Sequence, residues 1–405
     1  MTASSNDNKL NVRINNKTYT FIDLFAGAGG FAEGFYQENF KALSHIEFDI
    51  NACKTLKERM KFYNYPKKEI EKIKSTDITD ENIIDIIEDG VNNNSVDVII
   101  GGPPCQSFSS QGKARDPNGM KCDPRNYLYE SYIKILNHFK PKFFVFENVT
   151  GILSTKINGE QIIDTIFKDM KKNYKIVEDK NILLLNAADF GVPQERKRVI
   201  IIGVRKDLNI DVATIYKDLA EIAKNEETIT VHDAIGDLPK LYPGEGSEII
   251  KHKPKTMNKY LSKIRGNYLD TLHHHIARNH NELDKKRYKL MSQHKWTLKE
   301  LYEKEPSLIH HKKRLFNNSY VVQYFDKPSK TIIAHLYKDG NQFIHPDHTQ
   351  ERTLTPREAA RLQSFPDDFI FPCSKTQQYK QIGNAVPPLL AKYIASVLKK
   401  YLEKI

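Results

Sequence analysis

The sequence predicts an α/β fold in which a parallel sheet carries crossover helices and a second, smaller domain follows. From Thr18 onward, apolar runs rich in Ile, Val and Phe alternate with longer amphipathic stretches, as buried parallel strands and crossover helices do. This rhythm ends near Arg205, and a polar, basic segment continues as far as Gln350. A chain of 405 residues also exceeds the usual size of one compact core, which favours two domains.

Six apolar runs are predicted to be buried strands, with helical candidates between most of them: residues 19–25, 41–48, 96–101, 143–147, 181–185 and 199–204. The middle segment, residues 206–350, contains a turn at 243–246, a helix-like stretch at 279–293 and a predicted hairpin turn at 338–341. Thr355, Pro356 and Glu358 predict a helix start with a capping box. A final amphipathic helix is predicted at 388–402, and residues 1–17 are expected to be a disordered tail.

The charge of the chain suggests a polyanionic partner. The formal net charge is +11, and residues 240–315 contain 18 basic and 8 acidic side chains, although a solvated surface would show the same excess. No apolar run is long enough to cross a bilayer and no signal-peptide pattern is present, so a cytoplasmic protein without membrane contact is expected. The four cysteines are scattered without CxxC pairs and are expected to be reduced thiols.

A glycine-rich turn follows the first predicted strand, within the sequence DLFAGAGGF at 23–31. Glycine permits a sharp turn and the close approach of a ligand, but a plain tight turn has the same composition. The spacing GAGG differs from GxGxxG, which disfavours a nicotinamide or flavin cofactor. Glu47 ends the second strand, where a carboxylate can accept ribose hydroxyl hydrogen bonds, and Asp77 is placed to meet the exocyclic amine of adenine. These features predict a nucleoside cofactor without a pyrophosphate, a description that S-adenosylmethionine fits.

Three further groups of residues indicate the chemistry. Cys105 follows a strand and two prolines, which hold a nucleophilic thiol in one place, although an isolated cysteine more often fills a core. Glu147 emerges from another apolar strand, where a carboxyl group favours its protonated form and can donate a proton, unless it only caps a helix. Arg196 and Arg198 alternate onto one face and could orient the Glu147 carboxylate, a base carbonyl or a phosphate.

Six motifs, DLFAGAGGF, GGPPCQSFS, ENV, QERKR, TPREAARLQSFP and QIGNAVPP, resemble in this order the motif series of cytosine-C5 DNA methyltransferases. The resemblance implies a Rossmann-like, S-adenosylmethionine-dependent fold whose catalytic domain combines residues 18–205 and 351–405. It implies that Cys105 adds to carbon 6 of cytosine and that Glu147 engages the ring N3, with Arg196 and Arg198 at base and active-site positions. The implied cofactor-binding positions are Phe25, Gly27, Gly30, Glu47, Phe48, Asp77, Ile78, Pro104, Leu128 and Asn384. Residues 107–126 resemble the mobile loop that closes over DNA, and no role is implied for Cys122.

By the same resemblance, residues 206–350 are the target-recognition domain for double-stranded DNA, with basic side chains that mostly hold phosphates around a flipped-out cytosine. Residues 327–346 resemble the end of this domain, which places them at the DNA groove. The histidines at 273–275 and 280 are expected to be solvated or to face DNA, since no paired cysteine or HExxH spacing indicates a metal. Trp296 and the tyrosines at 320 and 324 either stack on bases or, more often in such sequences, fill the small domain's core.

The sequence thus predicts a DNA (cytosine-5-)-methyltransferase that acts on a specific duplex sequence. A monomer is expected, in a restriction-modification system with a companion endonuclease, as for bacterial relatives. An RNA cytosine-5 methyltransferase and a DNA-binding module that has lost catalysis are the alternatives. Intact Cys105, Glu147 and Arg196 argue against the second alternative.

Overall fold

A computed structural model describes residues 17–104, 127–157, 159–253, 257–265, 270–309 and 318–405. Its strands are β1 (Thr20–Leu24), β2 (Lys41–Ile46), β3 (Val98–Gly101), β4 (Phe143–Val149), β5 (Lys156–Ile157), β6 (Glu160–Gln161), β7 (Tyr174–Ile176), β8 (Leu184–Asn186), β9 (Lys197–Arg205), β10 (Gly246–Lys251) and β11 (Thr271–Ile276). Its helices are α1 (Gly30–Gln37), α2 (Ile50–Phe62), α3 (Lys67–Lys72), α4 (Ile83–Val91), α5 (Leu128–Phe139), α6 (Ile162–Met170), α7 (Val212–Asn225), α8 (Val231–Ile235), α9 (Lys259–Arg265), α10 (Glu282–His294), α11 (Leu298–Lys304), α12 (Pro356–Leu362), α13 (Lys375–Asn384) and α14 (Pro388–Leu402). Within the described ranges, no helix combines the length and the apolar character needed to span a bilayer.

The main sheet has the strand order β2-β1-β3-β4-β9-β7, and β8 also pairs with β9. Strands β2, β1, β3 and β4 run parallel, whereas β9 runs antiparallel to β4, β7 and β8. The carboxyl ends of the four parallel strands therefore lie at one edge, where open α/β sheets bind ligands. The predicted α/β class is observed, with a mixed rather than a fully parallel sheet.

The predicted strands each overlap an observed strand, but two local predictions fail. Strand β8 begins only at Leu184 rather than at residue 181, because a turn precedes it in which the Asn181 amide donates to Asp179 Oδ1 at 2.9 Å. The hairpin predicted at 338–341 is wrong. Gly340 adopts a φ of 79°, but short 3₁₀ helices, Ala334–Tyr337 and Asn341–Phe343, flank it instead of paired strands.

Helices α1 and α14 pack against each other at very close range. A Cβ atom at Gly34 would lie 2.2 Å from the backbone nitrogen of Lys392, so only glycine allows this approach. The Lys399 ammonium donates to the Glu38 carbonyl at 3.0 Å. Leu390 of α14 belongs to the same hydrophobic core as strand β1. Segments that lie far apart in the sequence thus share one core.

The middle segment contributes to two hydrophobic cores. Apolar side chains of α7, α8 and α9 join the main core beneath the sheet. A separate small core is formed by Tyr288, Met291, Leu298, Leu301, Leu308, Tyr320, Val322 and Ile344, with Trp296 packed against it. Tyr320 and Trp296 are therefore packing residues. The domain boundaries at 206 and 350 stay a prediction, and the described contacts group α7, α8 and α9 with the sheet.

Helix α12 begins with the predicted capping box. The Glu358 amide donates to Thr355 Oγ1 at 3.2 Å, and the Thr355 amide donates to Glu358 Oε2 at 2.7 Å. Glu358 is buried and also accepts two hydrogen bonds from Arg352, of 2.8 and 2.7 Å. One turn later, Arg361 donates to both oxygens of Asp367 at 2.9 and 2.8 Å. The helix therefore places charged side chains in the interior, each with a charged partner.

The same network extends into the middle segment through Asp237, which follows α8. Asp237 binds Arg361, and Arg265 Nη1 of α9 lies 3.1 Å from Asp237 Oδ2. Burial raises the pKa of Asp237, but the hydrogen bond with His252 and the charge of Arg361 outweigh this effect and lower the pKa to about 2. Two sets of paired charges thus meet at α12, and we call them together the buried ionic cluster: the pair Arg352 and Glu358, and the group Asp237, Arg265, Arg361 and Asp367.

Two of the three histidines of β11, His274 and His275, are buried, which corrects for these two the expectation of a solvated or DNA-facing group, whereas His273 is only partly buried. His275 is completely buried, with Nε2 donating to the Pro239 carbonyl at 2.9 Å and Nδ1 lying 3.1 Å from Thr355 Oγ1. His274 is also buried and pairs with Glu248 at 2.8 Å. Strand β11 packs against α12, and this contact removes both rings from solvent. Among the described residues, no group of His, Cys, Asp and Glu has an arrangement that would hold a metal ion.

We predict that His275 makes the fold sensitive to acid. Burial lowers the pKa of His275 from 6.5 to about 4, so below pH 6.5 the unfolded chain binds a proton that the folded chain does not. The stability associated with the neutral ring is complete above pH 6.5 and falls by up to about 3 kcal/mol as the pH drops toward 4. Urea unfolding of the wild type and His275→Gln, from about pH 7.5 to about pH 4.5, should show a smaller acid loss in the variant. His138→Gln, at an exposed position, is the control, and equally steep losses in both variants would contradict the prediction.

Candidate active site

The glycine-rich turn between β1 and α1 has the backbone conformation that its sequence predicts. Phe25, Gly27 and Gly29 adopt φ values of 58°, 56° and 88°, and α1 begins at Gly30. A Cβ at Gly27 would meet nothing within 4 Å, so the turn faces open space there. A Cβ at Gly30 would instead lie 2.7 Å from the Val386 carbonyl oxygen. One glycine thus leaves room for a ligand, and another allows close packing against the segment after α13.

Glu47 lies at the end of β2 and faces the glycine turn. Its Oε2 accepts a hydrogen bond from the Gly27 amide at 2.7 Å, and its Oε1 accepts one from the Asp49 amide at 2.6 Å. Burial raises the pKa of Glu47, against the effect of these two amides. The next residue, Phe48, is 70% exposed. A positioned carboxylate therefore stands beside an exposed aromatic ring.

Asp77 reaches the same edge of the sheet. The Thr76 amide donates to the Glu47 carbonyl at 2.8 Å, which places Asp77 next to the end of β2. The exposed Asp77 carboxylate accepts hydrogen bonds from the Thr79 amide and hydroxyl at 2.9 and 2.7 Å, while Ile78 is buried. These contacts hold the aspartate in one orientation at the surface.

The chain returns to this edge at the end of α13. Asn384 is exposed there, and the two residues that follow it pack against Gly30. Lys380, one turn earlier, binds Asp49 Oδ2 at 2.7 Å. Leu128 begins α5, and Pro104 lies three residues after β3; both are half-buried, and their grouping with the cofactor residues stays a prediction.

The segment that leads to Cys105 is anchored beside Glu147. A Cβ at Gly102 would lie 2.6 Å from Glu147 Oε2, and the Asn148 side chain donates to the Pro103 carbonyl at 3.3 Å. Cys105 itself lies outside the described residues, as do the predicted loop at 107–126 and Cys122. The described segment Gly102–Pro104 ends one residue before Cys105. It lies next to Glu147, the carboxyl group that the sequence analysis pairs with Cys105.

Arg198 is the direct partner of Glu147. Its Nε lies 3.0 Å from Glu147 Oε1, and both side chains are largely buried. Antiparallel pairing of β4 with β9 places Arg198 opposite Val149, two residues beyond the glutamate. Burial lowers the pKa of Arg198, and the charge of Glu147 opposes that change. A charge-assisted hydrogen bond of this kind holds the carboxyl group in one orientation.

Arg196 has different partners from Arg198. The two arginines were expected to share one face of the strand, but they do not both contact Glu147. Its guanidinium donates to the carbonyls of Ile332 and Ala385 at 2.8 Å each and to that of Gly383 at 3.3 Å. Arg196 precedes the first residue of β9 and is fully buried, so strand alternation does not determine its direction. Among the described residues it forms no ion pair with Glu147. Arg196 instead joins the start of β9 to the two segments on either side of the site.

Two residues with supporting positions were missed from the sequence. Gly102 has no side chain that would displace Glu147, and the doubled glycine in GGPP was a signal for it. Gln194 accepts a hydrogen bond from the Ile332 amide at 2.7 Å and donates to the Leu362 carbonyl at 3.1 Å. No sequence pattern indicated those contacts, because they connect segments that are more than a hundred residues apart.

Comparison with known proteins agrees with this arrangement. A family model described as C-5 cytosine-specific DNA methylase matches residues 19–400. The chain belongs to this family. The predicted family, fold class and DNA (cytosine-5-)-methyltransferase activity are thereby confirmed.

Relatives of this methylase are similar over nearly their whole length. It is 33% identical to Type II methyltransferase M.Bpa9945I of Bacillus paralicheniformis, over 93% of this chain and 98% of the relative. It is 35% identical to Type II methyltransferase M.DdeI of Desulfomicrobium norvegicum, over 95% of this chain and 89% of the relative. A crystal structure of a DNA modification methyltransferase encoded within an E. coli prophage matches with a TM-score of 0.69 and 26% identity, over 95% of this chain and 100% of that one.

We predict that Gly102→Ala impairs this methylase without unfolding it. Only the flexible end of Glu147 has to move away from the added methyl group, so the free energy of unfolding should change by less than about 1 kcal/mol. The displaced carboxyl group should lose Arg198, and methyl transfer should fall roughly tenfold to 100-fold. Initial rates and urea unfolding measure the two effects. Gly159→Ala is the control for the rate alone, since a Cβ there meets nothing within 4 Å but the φ of 91° makes the substitution strained; wild-type rates in Gly102→Ala would show that the close contact is unimportant.

Proposed function

We propose that this chain transfers a methyl group from S-adenosylmethionine to carbon 5 of a flipped-out cytosine in a specific duplex DNA sequence. The observation that supports this most directly is the Glu147–Arg198 pair, which lies beside the segment Gly102–Pro104 that leads into Cys105. A carboxyl group that an arginine orients, beside the proline-containing segment that leads to a cysteine, supports covalent attack on a pyrimidine ring.

Cys105 and Glu147 have complementary roles in the proposed chemistry. The Cys105 thiolate forms a bond to carbon 6, and Glu147 donates a proton to ring N3, so the electron pair of the 5,6 double bond makes carbon 5 nucleophilic. S-adenosylmethionine, when bound, supplies the electrophilic methyl group. Loss of the carbon-5 proton to a base then expels the Cys105 thiolate, and N3 returns its proton to Glu147, which restores the neutral aromatic ring. Arg198 keeps Glu147 oriented throughout, and Gly102 leaves the space that the carboxyl group occupies.

Glu47, Phe48 and Asp77 form the proposed nucleoside site, and the described geometry fits the cofactor. Each Glu47 oxygen accepts one backbone hydrogen bond, which leaves lone pairs for ribose hydroxyl donors. The exposed Phe48 ring offers an apolar surface to a purine, and Asp77 can accept from its exocyclic amine. Open space over Gly27 admits the chain of the cofactor. Phe25, Gly30, Ile78, Pro104, Leu128 and Asn384 complete the proposed set.

The proposed partner is double-stranded DNA, held by a recognition domain within residues 206–350. A base inside a duplex is out of reach of a thiol at a strand end, so the cytosine has to leave the stack. The net charge of +11 suits a polyanion. Because M.Bpa9945I and M.DdeI carry the name Type II methyltransferase, the proposal includes a companion restriction endonuclease that acts on the same DNA site. The proposed acting species is a cytoplasmic monomer.

Covalent trapping tests the proposed nucleophile. Random-sequence duplexes that contain 5-fluorocytosine, incubated with S-adenosylmethionine, should form an adduct that survives denaturing electrophoresis, because fluorine at carbon 5 prevents elimination. Cys105→Ala should form none, and Cys373→Ala, at a half-buried position outside the proposed site, should form as much as the wild type. An adduct in Cys105→Ala would refute the mechanism, and stronger trapping by 5-fluorocytosine RNA would overturn the choice of duplex DNA.

We predict that Glu47→Gln weakens cofactor binding. Loss of the negative charge removes charge-assisted acceptors for the ribose hydroxyls, so the Kd for S-adenosylhomocysteine should rise roughly tenfold to 100-fold. Isothermal titration calorimetry with the full chain measures it. Glu58→Gln, at an exposed position of α2, is the matched control. Equal affinities in the two variants would remove Glu47 from the nucleoside site.

A further inference from the structure

Two lysines of the middle segment lie over the same aromatic ring. Lys295 Nζ and Lys327 Nζ are each 5.5 Å from the centroid of Tyr324. Lys295 directly follows α10 and has a φ of 58°. Its ammonium donates to the Pro346 carbonyl at 3.5 Å, and this contact limits where the side chain can lie. Tyr324 is half-buried and, in the described part of the chain, belongs to none of the hydrophobic cores. We call Lys295, Tyr324 and Lys327 the lysine–tyrosine patch.

The patch carries charge that two neighbouring lysines, Lys285 and Lys289, do not offer. On α10, Lys285 binds Glu282 at 2.6 Å and Lys289 binds Glu351 at 2.8 Å, so a carboxylate offsets each charge. Across the described ranges, no ion pair with a carboxylate involves Lys295 or Lys327. A cation over a tyrosine ring keeps its full charge, while the ring restricts where that charge is. Two positioned positive charges therefore face solvent without a negative partner.

The patch also lies within reach of the active site. Ser329 pairs with the Gln194 segment, and the Ile332 carbonyl accepts from Arg196. Ile332 lies five positions after Lys327, a stretch that spans at most about 18 Å even when it is fully extended. One turn of B-form DNA is about 34 Å long. Lys327 thus lies within one helical turn of DNA from the Ile332 carbonyl that Arg196 contacts.

We propose that Lys295 and Lys327, held over Tyr324, bind backbone phosphates of the duplex that flanks the target cytosine. This inference rests on the proposed function and adds to it the residues that hold the substrate. The ammonium groups neutralise phosphates and release counterions, and the tyrosine ring reduces the side-chain freedom that binding would otherwise remove. His294 and Trp296 lie on either side of Lys295 in the sequence, and their rings stack with centroids 4.4 Å apart. This stacking stabilises the turn that presents Lys295.

The test compares two double variants that lose the same charge. Binding of a fluorescein-labelled duplex of about 30 base pairs is measured by anisotropy at increasing salt, for the wild type, Lys295→Gln/Lys327→Gln and the control Lys285→Gln/Lys289→Gln. The patch variant should show a slope of log affinity against log salt that is smaller by about 2, and a Kd roughly tenfold higher near 0.2 M salt. The control should retain the wild-type slope, and far-ultraviolet circular dichroism confirms the folding of all three proteins.

Each other outcome overturns the inference. An equally smaller salt slope in both double variants would mean that only net charge matters. A wild-type slope in both would mean that the patch does not contact the duplex. Loss of binding to an RNA hairpin alone would assign the patch to RNA. Trapping by 5-fluorocytosine at low salt separates this result from the proposed function: adducts in all three proteins with equal slopes refute only the patch, whereas no adduct in the wild type refutes the function.

Discussion

The buried ionic cluster around α12 is the interaction on which the arrangement of this methylase depends. Arginine and carboxylate side chains are costly to bury unless each finds a partner, and here Arg361 lies between Asp237 and Asp367 while Arg352 binds Glu358. Removal of one partner would leave an uncompensated charge in the interior, at a cost of about 3–5 kcal/mol. The cluster therefore permits few relative positions of α8, α9 and α12, and it joins the middle segment rigidly to the sheet.

That rigidity extends to the site through hydrogen bonds to main-chain atoms. Gln194 connects the segment before β9 to the Leu362 carbonyl at the end of α12 and to Ile332. Arg196 connects the same segment to Ile332 and to Ala385. Two residues later, Arg198 orients Glu147. The middle segment, the Glu147 carboxyl group and the chain beside Asn384 are thus related by a short path of contacts, although they come from distant parts of the sequence.

The sequence predicted those features of the site that depend on neighbours in the chain. Glu47 follows β2 and Glu147 lies near the end of β4, and the common edge of the parallel strands brings these two residues to one side as expected. The carboxyl–guanidinium pair was also foreseen for Arg198. By contrast, the partners of Arg196, the burial of His275 and the ionic cluster all depend on contacts between segments that lie far apart. Local periodicity carries no information about such contacts, and histidine in a polar, basic stretch gave no sign that its ring would be enclosed.

The close contact at Gly34 has a consequence for how this protein is made. The Lys399–Glu38 hydrogen bond joins residues 361 positions apart, so α1 has no access to its packing partner until nearly all of the residues between α1 and α14 have been translated. Until then its apolar face and the glycine turn beside it remain uncovered, and closing so large a loop is slow. A ribosome-bound chain that stops short of α14 therefore lacks a completed core and the Asn384 side of the cofactor edge, which makes methylation an activity that begins only after synthesis of the fold is finished.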